Sequence, residues 1–231
     1  MALNLAVEFT IIPVVAAIVG AVIAAYRKPG PTLASAFQHF AAGVVFAAAA
    51  AEVLPSLKHG TSVWPIIIGG GLGIAAMLII KWLGQRNKGP TGLVALVGID
   101  VYIDGLVLGL GFAASSKTGI LLTIALTLEV LFLGLSLAAE LSEAAFSRVR
   151  ILFTIVIMTL LLPLGALIAS SVAQFSPPIL TGFFAFGLVA LLYLVTEELL
   201  VEAHETPDRP WVTALFVVGF LLLLVLEEAM G

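Results

Sequence analysis

Long apolar runs alternate with short polar breaks along this chain, at a spacing that suits helices crossing a membrane. A helix needs roughly 20 apolar residues to span the hydrocarbon core of a bilayer. The breaks fall at Arg27-Lys28-Pro29-Gly30-Pro31, Lys58-His59-Gly60, Gln85 to Pro90, Ser115-Ser116-Lys117, Glu143 to Arg150, Ser176-Pro177-Pro178 and His204 to Pro210. They leave eight segments, at approximately 4–26, 33–56, 62–83, 90–114, 118–141, 149–173, 178–203 and 210–230. The pattern predicts an all-α integral membrane protein, with one transmembrane domain over 1–231. The fifth and sixth segments are the least clearly parted, because only Glu140, Glu143, Arg148 and Arg150 stand between them. The first segment reads as a span, since no basic residue precedes it and its apolar run reaches Tyr26, beyond the length of a signal sequence.

Composition removes the soluble alternative. Hydrophobic residues make up 61% of the chain and charged ones 10%, where a soluble domain carries about a quarter charged. Mean hydropathy is +1.22. The net charge of −4 is dispersed and forms no basic patch, so nothing points to nucleic acid. Cysteine is absent, which excludes disulfides and thiolate metal sites. Every loop is short, and no separate soluble domain fits between spans.

The basic residues set an expected orientation, because cytoplasmic loops are enriched in Lys and Arg. Those near the loops after odd-numbered spans are Arg27, Lys28, Lys81, Arg86, Lys88, Arg148, Arg150 and Arg209, against Lys58 and Lys117 after even-numbered ones. Both termini are therefore expected outside the cytoplasm, in a multi-pass protein of the cell membrane.

Acids within the apolar segments are where chemistry is expected, since each costs several kcal/mol at the bilayer centre. Asp100 and Asp104 lie mid-span in the fourth segment, and Glu129 mid-span in the fifth. The i, i+4 spacing of the aspartates puts both on one helix face, and an antiparallel fifth span brings Glu129 to the same depth. Gly105, Gly109 and Gly111 follow, and would let a neighbouring backbone approach. One buried acid is readily a protonated structural group. Three at one depth without a mid-span Lys or Arg favour a cation or proton site, and oxygen ligands without an internal counter-charge suit a metal ion. Glu52, Met77, Glu197, Glu198, Glu202 and His204 are pathway candidates, with solvated helix ends as the plainer reading for Glu202, Glu205 and Asp208. Glu8, Glu227 and Glu228 read as interfacial, and His39 as a satisfied helix-end histidine.

Several of these segments have a family resemblance. His39-Phe40-Ala41-Ala42-Gly43-Val44-Val45, running on to Glu52-Val53-Leu54-Pro55, resembles the second span of the ZIP (Zrt/Irt-like) divalent metal transporters. Leu161-Leu162-Pro163-Leu164-Gly165-Ala166 is similar to their sixth, and Tyr193 to Leu200 with Glu202-Ala203-His204 to the end of their seventh. The metal motifs depart from the family pattern. Where typical members carry His-Asn-x-Pro-Glu-Gly, this chain has Asp100-Val101-Tyr102-Ile103-Asp104-Gly105. Where they carry His-x-x-x-Glu-Gly, it has Glu129-Val130-Leu131-Phe132-Leu133-Gly134, and Leu162 replaces a frequent sixth-span acid. By this matching one metal site keeps Asp100, Asp104 and Glu129, while Val101, Val130, Leu133 and Leu162 remove the second.

The resemblance implies a non-enzymatic carrier with a divalent cation (zinc, manganese or iron) as substrate and no prosthetic group. It also implies that spans one, four, five and six move against a scaffold of spans two, three, seven and eight, which has the capacity to form a homodimer. Harder carboxylate ligands in place of imidazole should narrow zinc's advantage over manganese and ferrous iron. A proton-linked carrier of another solute and a non-transporting scaffold or sensor are the alternatives. A two-aspartate intramembrane protease fits poorly, because Asp100 and Asp104 share one helix.

Overall fold

The computed structural model describes residues 2–26, 30–57, 62–87, 89–172, 174–207 and 209–230. Among them there is no strand, and eight helices are long and apolar enough to cross a membrane. These are α1 (Leu5–Tyr26), α2 (Pro31–Leu57), α3 (Trp64–Arg86), α4 (Pro90–Ala114), α5 (Ser116–Glu143), α6 (Arg148–Val172), α7 (Pro177–Ala203) and α8 (Pro210–Ala229). The eight expected segments match them one for one. Arg27, Lys28, Lys58, His59, Lys88 and Asp208, which mark several breaks and carry part of the orientation argument, lie outside the described residues.

The starts of the helices follow from local sequence. Proline occupies the first turn of α2, α3, α4, α7 and α8, where its missing N–H leaves no helical bond unmade. In α5 the Ser115 hydroxyl accepts from the Thr118 amide at 2.9 Å, and in α6 Ser147 accepts from Arg150 at 3.4 Å, both as N-caps.

Four helices are irregular, and they fall into two kinds. α1 breaks at Thr10 ahead of Pro13, and α6 at Leu160 ahead of Pro163. Each proline lacks the N–H that would bond four residues back, so the preceding turn opens. α2 and α7 instead carry single π-turns, over Ala49–Val53 and Val195–Leu199, where Leu54 N–H bonds to Ala49 and Leu200 N–H to Val195.

Packing pairs α1 with α5, α4 with α6, α2 with α8, and α3 with α7. Reciprocal glycines set these contacts. A Cβ at Gly20 of α1 would strike the Leu131 carbonyl of α5, and one at Gly134 of α5 the Ala17 carbonyl of α1. Gly105 of α4 and Gly165 of α6 likewise face Leu162 and Tyr102, and Gly43 of α2 and Gly219 of α8 face Phe216 and Phe40. In the fourth pair Gly69 of α3 lies against Gly182 of α7. Exchanging α1 with α6, α2 with α7, α3 with α8 and α4 with α5 maps the four pairs, both breaks and both π-turns onto one another. That is the arrangement of an inverted repeat, which residue-by-residue comparison of the sequence does not disclose.

α3 and α8 bury the least of their length, while α2, α4 and α5 bury the most. On α3 the side chains of Ile67, Ile68, Leu72, Ile74, Leu78 and Ile79 are exposed, and on α8 those of Val217, Val218, Leu221, Leu222 and Val225. Apolar faces of this length need lipid, not water, around them.

Candidate metal centre

Asp100 and Asp104 stand one turn apart on α4, and Glu129 reaches them from α5. Each offers a carboxylate oxygen, and the three oxygens lie within 4.8 Å of one another. Asp104 and Glu129 are buried and Asp100 is half-buried. Asp100 Oδ2, Asp104 Oδ2 and both Glu129 oxygens have no hydrogen-bond partner among the described residues. Three ionised carboxylates this close repel by at least about 3 kcal/mol per pair at an effective dielectric of 20. A bound cation would remove that repulsion and satisfy the orphaned oxygens together.

Local structure holds the acids at this depth. Gly105, the residue after Asp104, lies against the Leu162 carbonyl just past the break in α6. Gly109 continues the contact one turn further on, against Ala166 and Ala169, and Gly111 meets Leu122 of α5. Of the positions where the family would place second-site ligands, Val101, Val130 and Leu162 are fully buried apolar residues.

A cavity of about 460 Å³ runs from Asp100 and Glu129 to the end of the molecule where α3, α5 and α7 finish and α4 begins. That volume holds a cation with much of its hydration water. Its walls carry an acid ladder, with Glu140 of α5 and Glu197, Glu198 and Glu202 of α7. Lys81 of α3 is the only basic side chain among the described residues that line it, and it pairs with Glu197. Its ammonium also lies 5.8 Å from the centre of the Tyr193 ring, whose buried hydroxyl has no partner. Glu202 accepts a 2.6 Å bond from Gln38 of α2.

Of the pathway candidates, Glu197, Glu198 and Glu202 therefore line the cavity. Glu52, Met77 and His204 do not. Glu52 is buried in the α2 π-turn, Met77 is packed in the core, and His204 caps α7 with its ring against His39. The sequence alone does not single out Glu140, because its place near the end of the span makes it read as a loop residue. The helical period would have found it. Glu129, Leu133, Ser136 and Glu140 recur at intervals of four, three and four, one stripe of α5, and all four line the cavity.

The family model for the ZIP zinc transporters matches residues 90–227, from the first residue of α4 into the last turn of α8. The chain belongs to the ZIP zinc transporter family. It is thus a multi-pass membrane protein of a family whose substrates are metal ions, with Asp100, Asp104 and Glu129 all inside the matched region. The resemblance noted at His39 to Pro55 lies before the match. No curated protein matches the chain.

Proposed function

We propose that this ZIP protein carries a divalent metal cation through a single midplane site made by Asp100, Asp104 and Glu129. The observation that carries this reading is the three facing carboxylates, unpartnered and without a basic neighbour at that depth among the described residues, at the head of a cavity lined with further acids. Glu198, Glu202 and Glu140 are the steps between the site and the aqueous phase, and Glu197 is held by Lys81. On the count of basic residues, the cavity opens to the cytoplasm and both termini lie outside. The conformation is then the inward-open one of an alternating-access cycle. Helices α1, α4, α5 and α6 move as a unit against α2, α3, α7 and α8, and the lipid-exposed α3 and α8 are the faces for pairing with a second copy.

The test is uptake by purified protein in liposomes across a panel of divalent cations, comparing the native chain with Asp100→Asn, Asp104→Asn and Glu129→Gln. Each variant should insert and fold normally yet lose at least nine-tenths of uptake, because a ligand and a compensating charge go together. Three variants that transport like the native chain would make the cluster structural. Failure of the native protein to carry any cation in the panel would favour a proton-linked carrier of another solute.

A further inference from the structure

The two helices that carry the carboxylates, α4 and α5, are related residue by residue and not only as elements. The close contact of Gly105 with Leu162 has its twin in that of Gly134 with Ala17, and the contact of Gly165 with Tyr102 has its twin in that of Gly20 with Leu131. Gly134 stands as far beyond Gly105 along the chain as Leu131 stands beyond Tyr102, so both contacts give one register for laying α4 on α5. In that register Asp100 falls on Glu129, and Asp104 falls on Leu133. The centre is symmetric in its first pair of positions and broken in its second.

The break has a direction. α4 begins at the cavity end of the molecule and α5 finishes there. Asp104, one turn beyond Asp100, therefore lies on the far side of the centre, and Leu133, one turn beyond Glu129, on the cavity side. The cavity wall agrees. It includes Asp100, Glu129 and Leu133 but not Asp104, which is only 3% exposed and whose Oδ2 has no partner among the described residues. The rest of each stripe follows suit. Leu133, Ser136, Leu137 and Glu140 of α5 all line the cavity, whereas their counterparts on α4, Asp104, Val107, Leu108 and Gly111, are all buried. On α5 the leucine stands beside the centre and the acid at the mouth. On α4 the acid stands beside the centre.

We propose that Asp104 is the ligand the centre turns toward the face opposite the cavity. A divalent cation arriving from that face meets a carboxylate at the lip of the site, and one arriving through the cavity meets Leu133 there. The assignment rests on the transport reading and gives its two faces different chemistry. A cation enters an oxygen-ligand site by exchanging its water for those oxygens. Asp104 offers that exchange at the last step, while a leucine strips water and replaces it with nothing. Negative charge at a narrow entrance also raises the rate of cation capture. The far face therefore captures at lower concentration than the cavity face, and the direction of net flux still follows the ion gradient.

Uptake of radiolabelled zinc into right-side-out and inside-out vesicles, corrected for vesicles lacking the protein, gives KM at each face. Labelling of Ala144→Cys by impermeant thiol reagent identifies the cavity face. In the native chain KM should be lower on the opposite face by about fivefold or more, at the low end of electrostatic steering. Leu133→Asp, which mirrors Asp104, should close most of that gap by lowering KM on the cavity face. Because the chain has no cysteine, accessibility gives a second readout that needs no transport by the variants. Impermeant reagent should reach Leu133→Cys from the cavity face only, and Asp104→Cys from the opposite face only, with thermal unfolding reporting on the fold of each variant. A native chain that carries no cation from either face fails the transport reading and this proposal with it. Uptake with equal KM on both faces, a gap that folded Leu133→Asp leaves unchanged, or Asp104→Cys labelled from the cavity face leaves that reading standing and overturns this one.

Discussion

At the scale of single residues, chemistry and packing give separable expectations. The proposed midplane ligands are all carboxylates, and carboxylate suits manganese and ferrous iron better than imidazole does, although zinc binds more tightly than manganese in almost any such site. Manganese and ferrous iron should therefore compete measurably against radiolabelled zinc. Combining Asp100→His with Glu129→His should raise the discrimination for zinc over manganese by about tenfold, the effect of one 1.4 kcal/mol difference in ligand preference. A native protein already strongly selective for zinc, and a histidine variant no more so, would show that ligand softness does not set selectivity here. The three acids were legible in the sequence because a charge within an apolar run has few explanations. Glu140 was hidden by its nearness to the end of α5, and the partnership of Lys81 with Glu197 joins residues 116 apart in sequence.

At the scale of elements, the reciprocal glycines separate close approach from mere flexibility. Gly105→Ala would push a methyl group into the Leu162 backbone beside the carboxylate cluster. The overpacking should destabilise the protein by about 1–3 kcal/mol and disturb the carboxylate geometry. Gly71→Ala on α3 is the control, since a Cβ there meets nothing within 4 Å. It should be neutral or stabilise by up to about 1 kcal/mol, as alanine does in a helix. Thermal unfolding of both variants in detergent checks the contrast, and equal effects would remove the close-approach explanation. Helix ends were legible because prolines and serines mark them at short range. The π-turns were not, since neither Ala49–Val53 nor Val195–Leu199 contains a proline or glycine to mark it.

At the scale of the whole molecule, orientation is the expectation with the widest consequences. The chain has no cysteine, so single cysteines report cleanly. Ser62 and Ser116 follow even-numbered spans or lie between them on the side of the termini, and Gly30 and Ala144 lie on the other side; all four positions are exposed. Impermeant thiol reagent on intact cells should label Ser62→Cys and Ser116→Cys, and miss Gly30→Cys and Ala144→Cys. The reverse pattern would turn the cavity to the outside.

The exchange that maps the helix pairs onto one another also describes a conformation this structure does not display. The ends of α3, α5 and α7 and the start of α4 frame the open cavity, so their counterparts are the ends of α8, α4 and α2 and the start of α5. A doorway on the far face would stand there, and Glu52, in the α2 π-turn, would take the part that Glu197 and Glu198 take in the π-turn of α7. Lys117 of α5 and Glu227 of α8 are joined at 3.0 Å, and both are less than one-third exposed. The bond spans the seam between the helices proposed to travel and those proposed to stay. Linking the same two positions covalently, through Lys117→Cys and Glu227→Cys under oxidation, should halt net uptake while leaving metal binding from the open side intact, and reduction should restore turnover.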